Sequence, residues 1–174
     1  LSQRAPYDAQ PCGHPDLERW ASKLAIQQFN RREWIMQSNS SVVLQFIEKV
    51  LNRGEVDAAG EFFWEDMVEQ VPLPGQGPGV EGLKDALRGL REAFPAMHWT
   101  VHEQIAEGDK VVSRFEWTGT HRGTFLGVPA TDRTVTVWGM VIDRLDGGKI
   151  KDTRIIMDTL GLMMQLGVVP PPKG

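Results

Sequence analysis

The chain has 174 residues, of which 41% are hydrophobic and 24% charged, a composition typical of a globular protein with a domain-sized core. Its 19 basic and 23 acidic residues give a net charge of −4, which disfavours nucleic acid as a partner, because nucleic-acid binders need a concentrated basic face. No run of about 18 apolar residues is present for a membrane span, and the single cysteine, Cys12, excludes an intramolecular disulfide. The N-terminal residues lack the charged-then-apolar pattern of a secretory signal, so we expect a cytoplasmic protein with no nucleic-acid or membrane partner.

The N-terminal part of the chain is predicted to be an arm followed by a helix. Residues 1–14 are polar, contain two prolines and are expected to be irregular. From Pro15 onward, apolar residues recur at the spacing of one helix face, namely at Leu17, Trp20, Ala21, Leu24 and Ala25. This helix is predicted to run to about Met36. We therefore divide the chain into residues 1–37, an arm with an extra helix, and residues 38–174, the main domain.

Three further helices are predicted in the first half of the main domain. The first follows an apolar repeat from Val43 and stops at Gly54, a residue type suited to the left-handed conformation that often follows a helix. A short helix over residues 56–63 and a short strand over residues 67–71 come next, before the proline- and glycine-rich residues 72–79. The third helix is amphipathic, ends before Pro95 and places on one face Leu83, Leu87, Leu90 and Phe94.

The second half of the domain alternates apolar and polar residues, which is the pattern of half-buried strands. Residues 98–121 alternate around a turn at 107–109, and residues 133–158 alternate around a turn at 146–148, so each segment predicts a β-hairpin. Helices followed by consecutive strands indicate an α+β fold rather than alternating βαβ units. A twisted sheet wrapped around helices would enclose a conical apolar cavity, a common setting for small-molecule sites.

Three segments carry a resemblance to a known family: GTHRGTFLGVPATDRTVTV (residues 119–137), DRLDGGKIKD (143–152) and MMQLG (163–167), with Asp158 between the last two. They resemble the SnoaL-like polyketide cyclases, whose wider group is similar to ketosteroid isomerase and nuclear transport factor 2. The resemblance covers residues 41–167 and implies a cone-shaped, cystatin-like fold, with a curved antiparallel sheet wrapped around N-terminal helices. It also implies a homodimer formed through the sheet, a pocket for a small hydrophobic molecule, and catalysis with no metal and no cofactor.

The sequence departs from that family at the two positions that the resemblance makes catalytic. In the founding cyclases an aspartate on the last strand acts as acid and base in an intramolecular aldol closure, and a histidine assists it from the preceding strand. Aligned on GKIKD without gaps, these positions fall on Ile155 and Val141. Neither aliphatic side chain carries a proton, and general acid–base catalysis typically contributes about 10²–10⁴ in rate. We therefore expect the pocket to be kept, with Ile155 and Val141 as ligand contacts, and the founding mechanism to be lost.

Two acids are candidates for a replacement proton carrier. Glu69 in the short early strand matches a position that lines the pocket in similar folds, and burial there would raise its pKa as a general base requires. Its alternative is exposure at a sheet edge. Asp158 either reaches the pocket or caps the helix that follows it, where a carboxylate satisfies free backbone N–H groups. Asp152 is interpreted as a solvated strand residue.

The remaining candidates have orienting roles. His121 in the GTH segment either donates to a ligand oxygen or anchors its loop, and Arg154 and Trp138 are predicted to face the developing oxyanion. Trp117 and Trp138, with Trp99, are interpreted as core or pocket-wall aromatics suited to a flat ring system. The i, i+4 spacing of His98 and His102 does not form a compact chelate on a strand, so no metal site is predicted.

Two functions remain open. The first is an enzyme that moves protons on a hydrophobic carbonyl or cyclic substrate, as a cyclase, isomerase or dehydratase, with Glu69, Asp158 and His121 as the catalytic candidates. The second is a non-catalytic module that retains the cone for hydrophobic-ligand binding or dimerisation. The aliphatic residues at 141 and 155 favour the second function, whereas the retained loop and C-terminal segments suit both.

Overall fold

The computed structural model describes Lys23 and residues 39–170. The predicted arm, the extra N-terminal helix apart from Lys23, and the boundary at residues 37–38 lie outside the described residues. None of the described helices is long and apolar enough to cross a membrane.

The domain is built from helices followed by strands. Helix α1 covers residues 39–52, and its second half, Ile47–Asn52, is a π-helix. The remaining elements are, in chain order, a 3₁₀ turn at Val56–Ala58, α2 (Ala59–Phe62), β1 (Phe63–Glu69), α3 (Gly79–Ala93), β2 (His98–Glu107), β3 (Lys110–Thr120), β4 (Thr134–Asp146), β5 (Lys149–Met157) and α4 (Thr159–Leu166). This order confirms the predicted α+β class.

The five strands form one curved sheet in the order β1-β5-β4-β3-β2. The two predicted hairpins, β2–β3 and β4–β5, are present, and β3 pairs antiparallel with β4. Strand β1 instead runs parallel to β5 at the sheet edge, and it begins at Phe63, earlier than the sequence predicted. No tight turn joins β1 to β5, because α3 and three strands lie between them in the chain, so the connection is long enough for parallel pairing.

The core lies between the helices and one face of the sheet. On β3 and β4 this inner face carries buried side chains such as Phe115, Trp117 and Val137, whereas the alternate residues, such as Trp138, face outward. Two hydrogen bonds tie α1 to β2, since the Asn52 side chain accepts from Trp99 N–H (2.8 Å) and donates to Trp99 C=O (3.1 Å). These bonds hold the end of helix α1 against the edge strand β2.

Candidate functional site

A mostly apolar cavity of about 430 Å³ lies between the helices and the inner face of the sheet. The π-helical turn of α1 contributes Ile47 and Leu51, and α3 contributes Leu83, Leu87 and Leu90. The sheet contributes Trp99, Phe115, Val141 and Ile155, and the segment after β1 contributes residues 71–74 and 76. Polar side chains are few in this wall, and they include two carboxyl groups.

The two carboxyl groups, Glu69 and Asp143, stand in one row across the sheet. Glu69 at the end of β1 pairs with Thr153 on β5, and Thr153 pairs with Asp143 on β4. Their Cα atoms are therefore separated by two strand spacings, roughly 10 Å. All three side chains line the cavity. The row holds two acids on either side of a hydroxyl, in apolar surroundings.

Asp143 is the residue that the sequence analysis missed. Only 5% of it is exposed, and burial raises its pKa to about 7. The Thr153 hydroxyl donates to its carboxylate and opposes this rise, whereas the negative charges of Glu69 and Asp152 add to it. A signal was present in the sequence, since period-two counting places Asp143 on the same face of β4 as Val141 and Leu145. A lone acid within an apolar stripe is uncommon enough to single out.

Glu69 differs from Asp143 in exposure and in hydrogen bonding. Its side chain is half-buried at the edge strand, and this burial raises its pKa. The backbone N–H groups of Val71, Ile155 and Gln70 favour its ionised form, and Val71 N–H donates to Oε1 at 3.0 Å. Glu69 is therefore an oriented carboxylate whose affinity for a proton is higher than that of a free glutamate.

Asp152 lies next to this row without lining the cavity. The sequence analysis interpreted it as solvated, but its side chain is only 14% exposed and forms an ion pair with Arg144. Its other oxygen accepts from the Gln70 side chain at 3.3 Å. Register explains the difference, because Asp152 pairs directly with Arg144 across the β4–β5 hairpin.

The model of the family described as SnoaL-like polyketide cyclase matches residues 41–166. The chain belongs to the SnoaL-like polyketide cyclase family.

Individual relatives agree with this assignment. The aklanonic acid methyl ester cyclases DnrD of Streptomyces peucetius and DauD of Streptomyces sp. strain C5 are each 29% identical over 143 residues, or 80% of this chain and 98% and 88% of theirs. The solved structure of TsrD from Streptomyces laurentii superposes with a TM-score of 0.70 at 27% identity, covering 76% of this chain and 97% of TsrD.

The two aliphatic positions singled out in the sequence, Val141 and Ile155, lie one step from the carboxyl row. Val141 and Ile155 pair directly across β4 and β5, and both line the cavity. The next inward-facing pair along the same strands is Asp143 and Thr153. In this SnoaL-like chain an acid, Asp143, therefore stands two residues from Val141, on the same face of the sheet and in the same cavity.

Two other catalytic candidates have positions that suit their structural alternatives. Asp158 is the N-cap of α4, where its carboxylate accepts from Gly161 N–H at 2.8 Å. His121 is fully buried, stacks on Phe94 with ring centroids 5.0 Å apart, and lies 3.2 Å from the Thr131 hydroxyl through Nδ1. Its backbone also bonds residues 132 and 133. Neither side chain lines the cavity.

Three predicted ligand contacts also lie elsewhere. Trp138 and Arg154 are on the outer face of the sheet, where Trp138 is 54% exposed, because both positions alternate with inward-facing neighbours. Trp117 faces inward but is covered by core aromatics, with the Phe94 ring centroid 5.1 Å away. These positions do not suit the predicted oxyanion-facing roles of Trp138 and Arg154, and they place Trp117 in the core, one of its two alternatives. Trp99 is the tryptophan that lines the cavity.

The polar groups of the described residues offer acid–base chemistry rather than chelation. Within residues 39–170 no three His, Cys, Asp or Glu side chains are grouped so as to hold a metal ion. His98 and His102 are exposed on β2.

Proposed function

We propose that this protein is a cofactor-free enzyme that moves a proton on an apolar cyclic carbonyl compound, in a reaction of the cyclase, isomerase or dehydratase type. The observation that carries the proposal is the row of Glu69, Thr153 and Asp143 inside an apolar cavity. Two carboxyl groups with different surroundings supply an acid and a base to one site. The relatives named as aklanonic acid methyl ester cyclases support a carbonyl substrate.

In the proposed step Glu69 is the base and Asp143 is the acid. The Glu69 carboxylate takes a proton from the carbon next to the carbonyl, and the C–H electron pair forms the enolate C=C bond. The carbonyl π electrons move to oxygen, which accepts a hydrogen bond from the protonated Asp143. In an aldol closure the enolate carbon then attacks a second carbonyl, whose oxygen takes the proton back from Glu69. In an isomerisation Glu69 instead returns the proton to a different carbon of the conjugated enolate.

The roles follow from the two environments. Asp143 is the more deeply buried group, and its pKa of about 7 keeps much of it protonated at neutral pH. Glu69 is half-exposed and accepts from the Val71 N–H, which favours its charged form. Repulsion from the Glu69 carboxylate further favours the protonated form of Asp143. Thr153 orients Asp143 and makes no other contribution to the step.

A change of one group at a time tests the roles. The measurement is deuterium exchange at the carbons next to the carbonyl of 2-tetralone in D₂O, followed by NMR. Glu69→Gln should lower the enzyme-catalysed rate by about 10²–10⁴. Asp143→Leu should lower it to a similar degree, whereas Asp143→Asn should retain much of it, because the amide N–H still donates. Glu65→Gln and Asp146→Asn, which replace exposed acids on the same strands, should exchange at the wild-type rate.

The second candidate function is a binding module with no catalysis, favoured by the aliphatic pair Val141 and Ile155. It predicts that 2-tetralone binds and that exchange is as slow with wild type as with Glu69→Gln. That outcome would refute proton transfer while leaving the cavity as a ligand site.

We also propose that two copies of the chain associate through the outer face of the sheet. Large apolar side chains are exposed there, namely Trp138, Met140, Ile142 and Ile156. They are adjacent, because Met140 pairs with Ile156 across β4 and β5. A contiguous apolar patch of this kind is typical of a protein–protein contact.

A further inference from the structure

A second space adjoins the cavity at one wall. This groove, of about 330 Å³, lies between the loop after β1 and the loop of residues 124–126, with α3 as its floor. It shares six lining residues with the cavity: Leu73, Pro74, Gln76, Ala86, Leu90 and Leu126. The two spaces are therefore neighbours that share this wall, and the groove lies on its other side.

Leu126 stands at the junction in an unusual backbone conformation. Phe125 and Val128 exchange two backbone hydrogen bonds of 3.0 and 2.8 Å around a two-residue turn. Both central residues have positive φ, 47° at Leu126 and 80° at Gly127. Such turns favour asparagine before glycine, because its short polar side chain can hydrogen-bond the local backbone, whereas a bulky apolar side chain fits the left-handed region poorly.

Burial of the Leu126 side chain does not offset the cost of this backbone conformation, since the residue is 46% exposed. It lines both the cavity and the groove. An apolar side chain held in a disfavoured conformation at a junction of two spaces points to contact with a ligand.

We propose that the groove holds a short chain carried by the ring system of the substrate, and that Leu126 contacts the ligand where the chain leaves the ring. This inference rests on the proposed function, which places the ring carbonyl in the cavity. The groove wall mixes polar and apolar side chains, with Gln76, Asp85 and Thr124 beside Leu73 and Phe125. Such a wall suits a chain of ester size and mixed polarity rather than a long alkyl tail.

Filling the groove from α3 provides the test. A Cβ added at Gly89, which lines the groove, meets no atom within 4 Å, so Gly89→Leu extends into the groove without displacing backbone. Gly60→Leu is the matched control, because Gly60 is also helical, has the same free space around it and lines neither site. The probes are the methyl and butyl esters of anthraquinone-2-carboxylic acid. Their Kd values are measured by quenching of tryptophan fluorescence, since Trp99 lines the cavity.

The readout is the ratio of the two Kd values in each protein. In wild type and Gly60→Leu the butyl ester should bind up to about 50-fold more tightly, since three added methylenes leave water. In Gly89→Leu this ratio should fall to near one. Equal affinities in wild type, or an unchanged ratio in Gly89→Leu, would overturn the proposal.

Leu126→Asn provides a second variant that suits the turn and should fold at least as well. It should reduce the ratio several-fold, whereas Leu44→Asn, which replaces an equally exposed leucine that lines neither space, should not. An unchanged ratio in Leu126→Asn would remove Leu126 from the ligand contact. The ester ratio is independent of proton transfer, so loss of deuterium exchange together with a normal ratio would refute the proposed function alone. Failure of both esters to bind would refute the ring ligand and, with it, the groove proposal.

Discussion

At the scale of single residues, the unusual feature is Asp143, a buried aspartate whose surroundings raise its pKa rather than lower it. Asp143 is 5% exposed, and its hydrogen bond from Thr153 is outweighed by burial and by the charge of Glu69. A structural role would be served as well by asparagine, which hydrogen-bonds without charge. The Asp143 carboxyl group, when ionised, therefore lowers the stability of the folded state, as is often found for groups at functional sites.

The first prediction concerns stability and pH. The pKa of Asp143 is about 7 in the folded state against an ordinary 3.8. Between these values the folded protein binds more protons than the unfolded chain, so its free energy of unfolding should fall as pH rises from about 4 to about 7. Asp143→Asn should lose this fall and become more stable than wild type above pH 7, by on the order of a few kcal/mol. Urea denaturation at several pH values measures the effect.

Asp146→Asn supplies the control for this experiment, because Asp146 is exposed at the end of the same strand. It should follow the wild-type pH dependence. Glu69, whose pKa burial also raises, acts in the same direction and leaves a smaller residual slope in Asp143→Asn. A wild-type and an Asp143→Asn curve that run parallel from pH 4 to 8 would contradict the raised pKa.

The second prediction concerns catalysis and pH. Because Glu69 must be ionised and Asp143 protonated, exchange of 2-tetralone should rise on the acid side and fall as pH passes about 7. In Asp143→Asn the alkaline fall should disappear, since the amide donates at every pH. An alkaline fall of equal size in both proteins would assign it to another group.

At the scale of secondary-structure elements, strand ends position the site. Glu69 is the last residue of β1, and Asp158 separates β5 from α4. The sequence pattern treats them alike, as acids after apolar strands. In the structure the chain continues past Glu69 into a loop that borders the cavity, whereas it turns into a helix at Asp158, whose backbone N–H groups bind the carboxylate.

The third prediction follows from this cap. Asp158→Ala should lower the free energy of unfolding by about 1 kcal/mol, because the N–H of Gly161 loses its acceptor. Asp158→Asn, which caps equally well, should lose far less. Deuterium exchange of 2-tetralone should stay near the wild-type rate in both variants. A loss of exchange in Asp158→Asn at unchanged stability would return Asp158 to the list of proton carriers.

At the scale of the whole molecule, the sheet has two apolar faces with different uses. The inner face closes the core and the cavity, and the outer face leaves Ile156 70% exposed beside Met140. Alternation along a strand normally places polar residues outward, and β4 departs from this over Trp138, Met140 and Ile142. This departure is the physical basis for the proposed homodimer.

The fourth prediction tests that dimer. Met140→Glu buries a charge at the proposed contact without touching the cavity and should shift the chain to a monomer in sedimentation velocity, with an unchanged circular dichroism spectrum. Leu44→Glu, which replaces an exposed leucine on α1 away from this face, should sediment as wild type does. Sedimentation of wild type as a monomer at micromolar concentration would contradict the proposed dimer.

The sequence by itself determined the two hairpins and the family. Period-two alternation around glycine turns is enough to define β2–β3 and β4–β5, and three short segments are enough to indicate a SnoaL-like chain. Local patterns carry this information because helix and strand periods are set by the backbone.

Only the tertiary structure decided which acids meet. Alternation assigns Trp138 and Asp143 to opposite faces of β4 but does not say which face is inner. The row of Glu69, Thr153 and Asp143 depends on the parallel pairing of β1 with β5, between residues distant in sequence. The pKa of Asp143 depends in turn on the atoms that exclude water from it and on the charge of Glu69. These are properties of the packed chain, and no local pattern contains them.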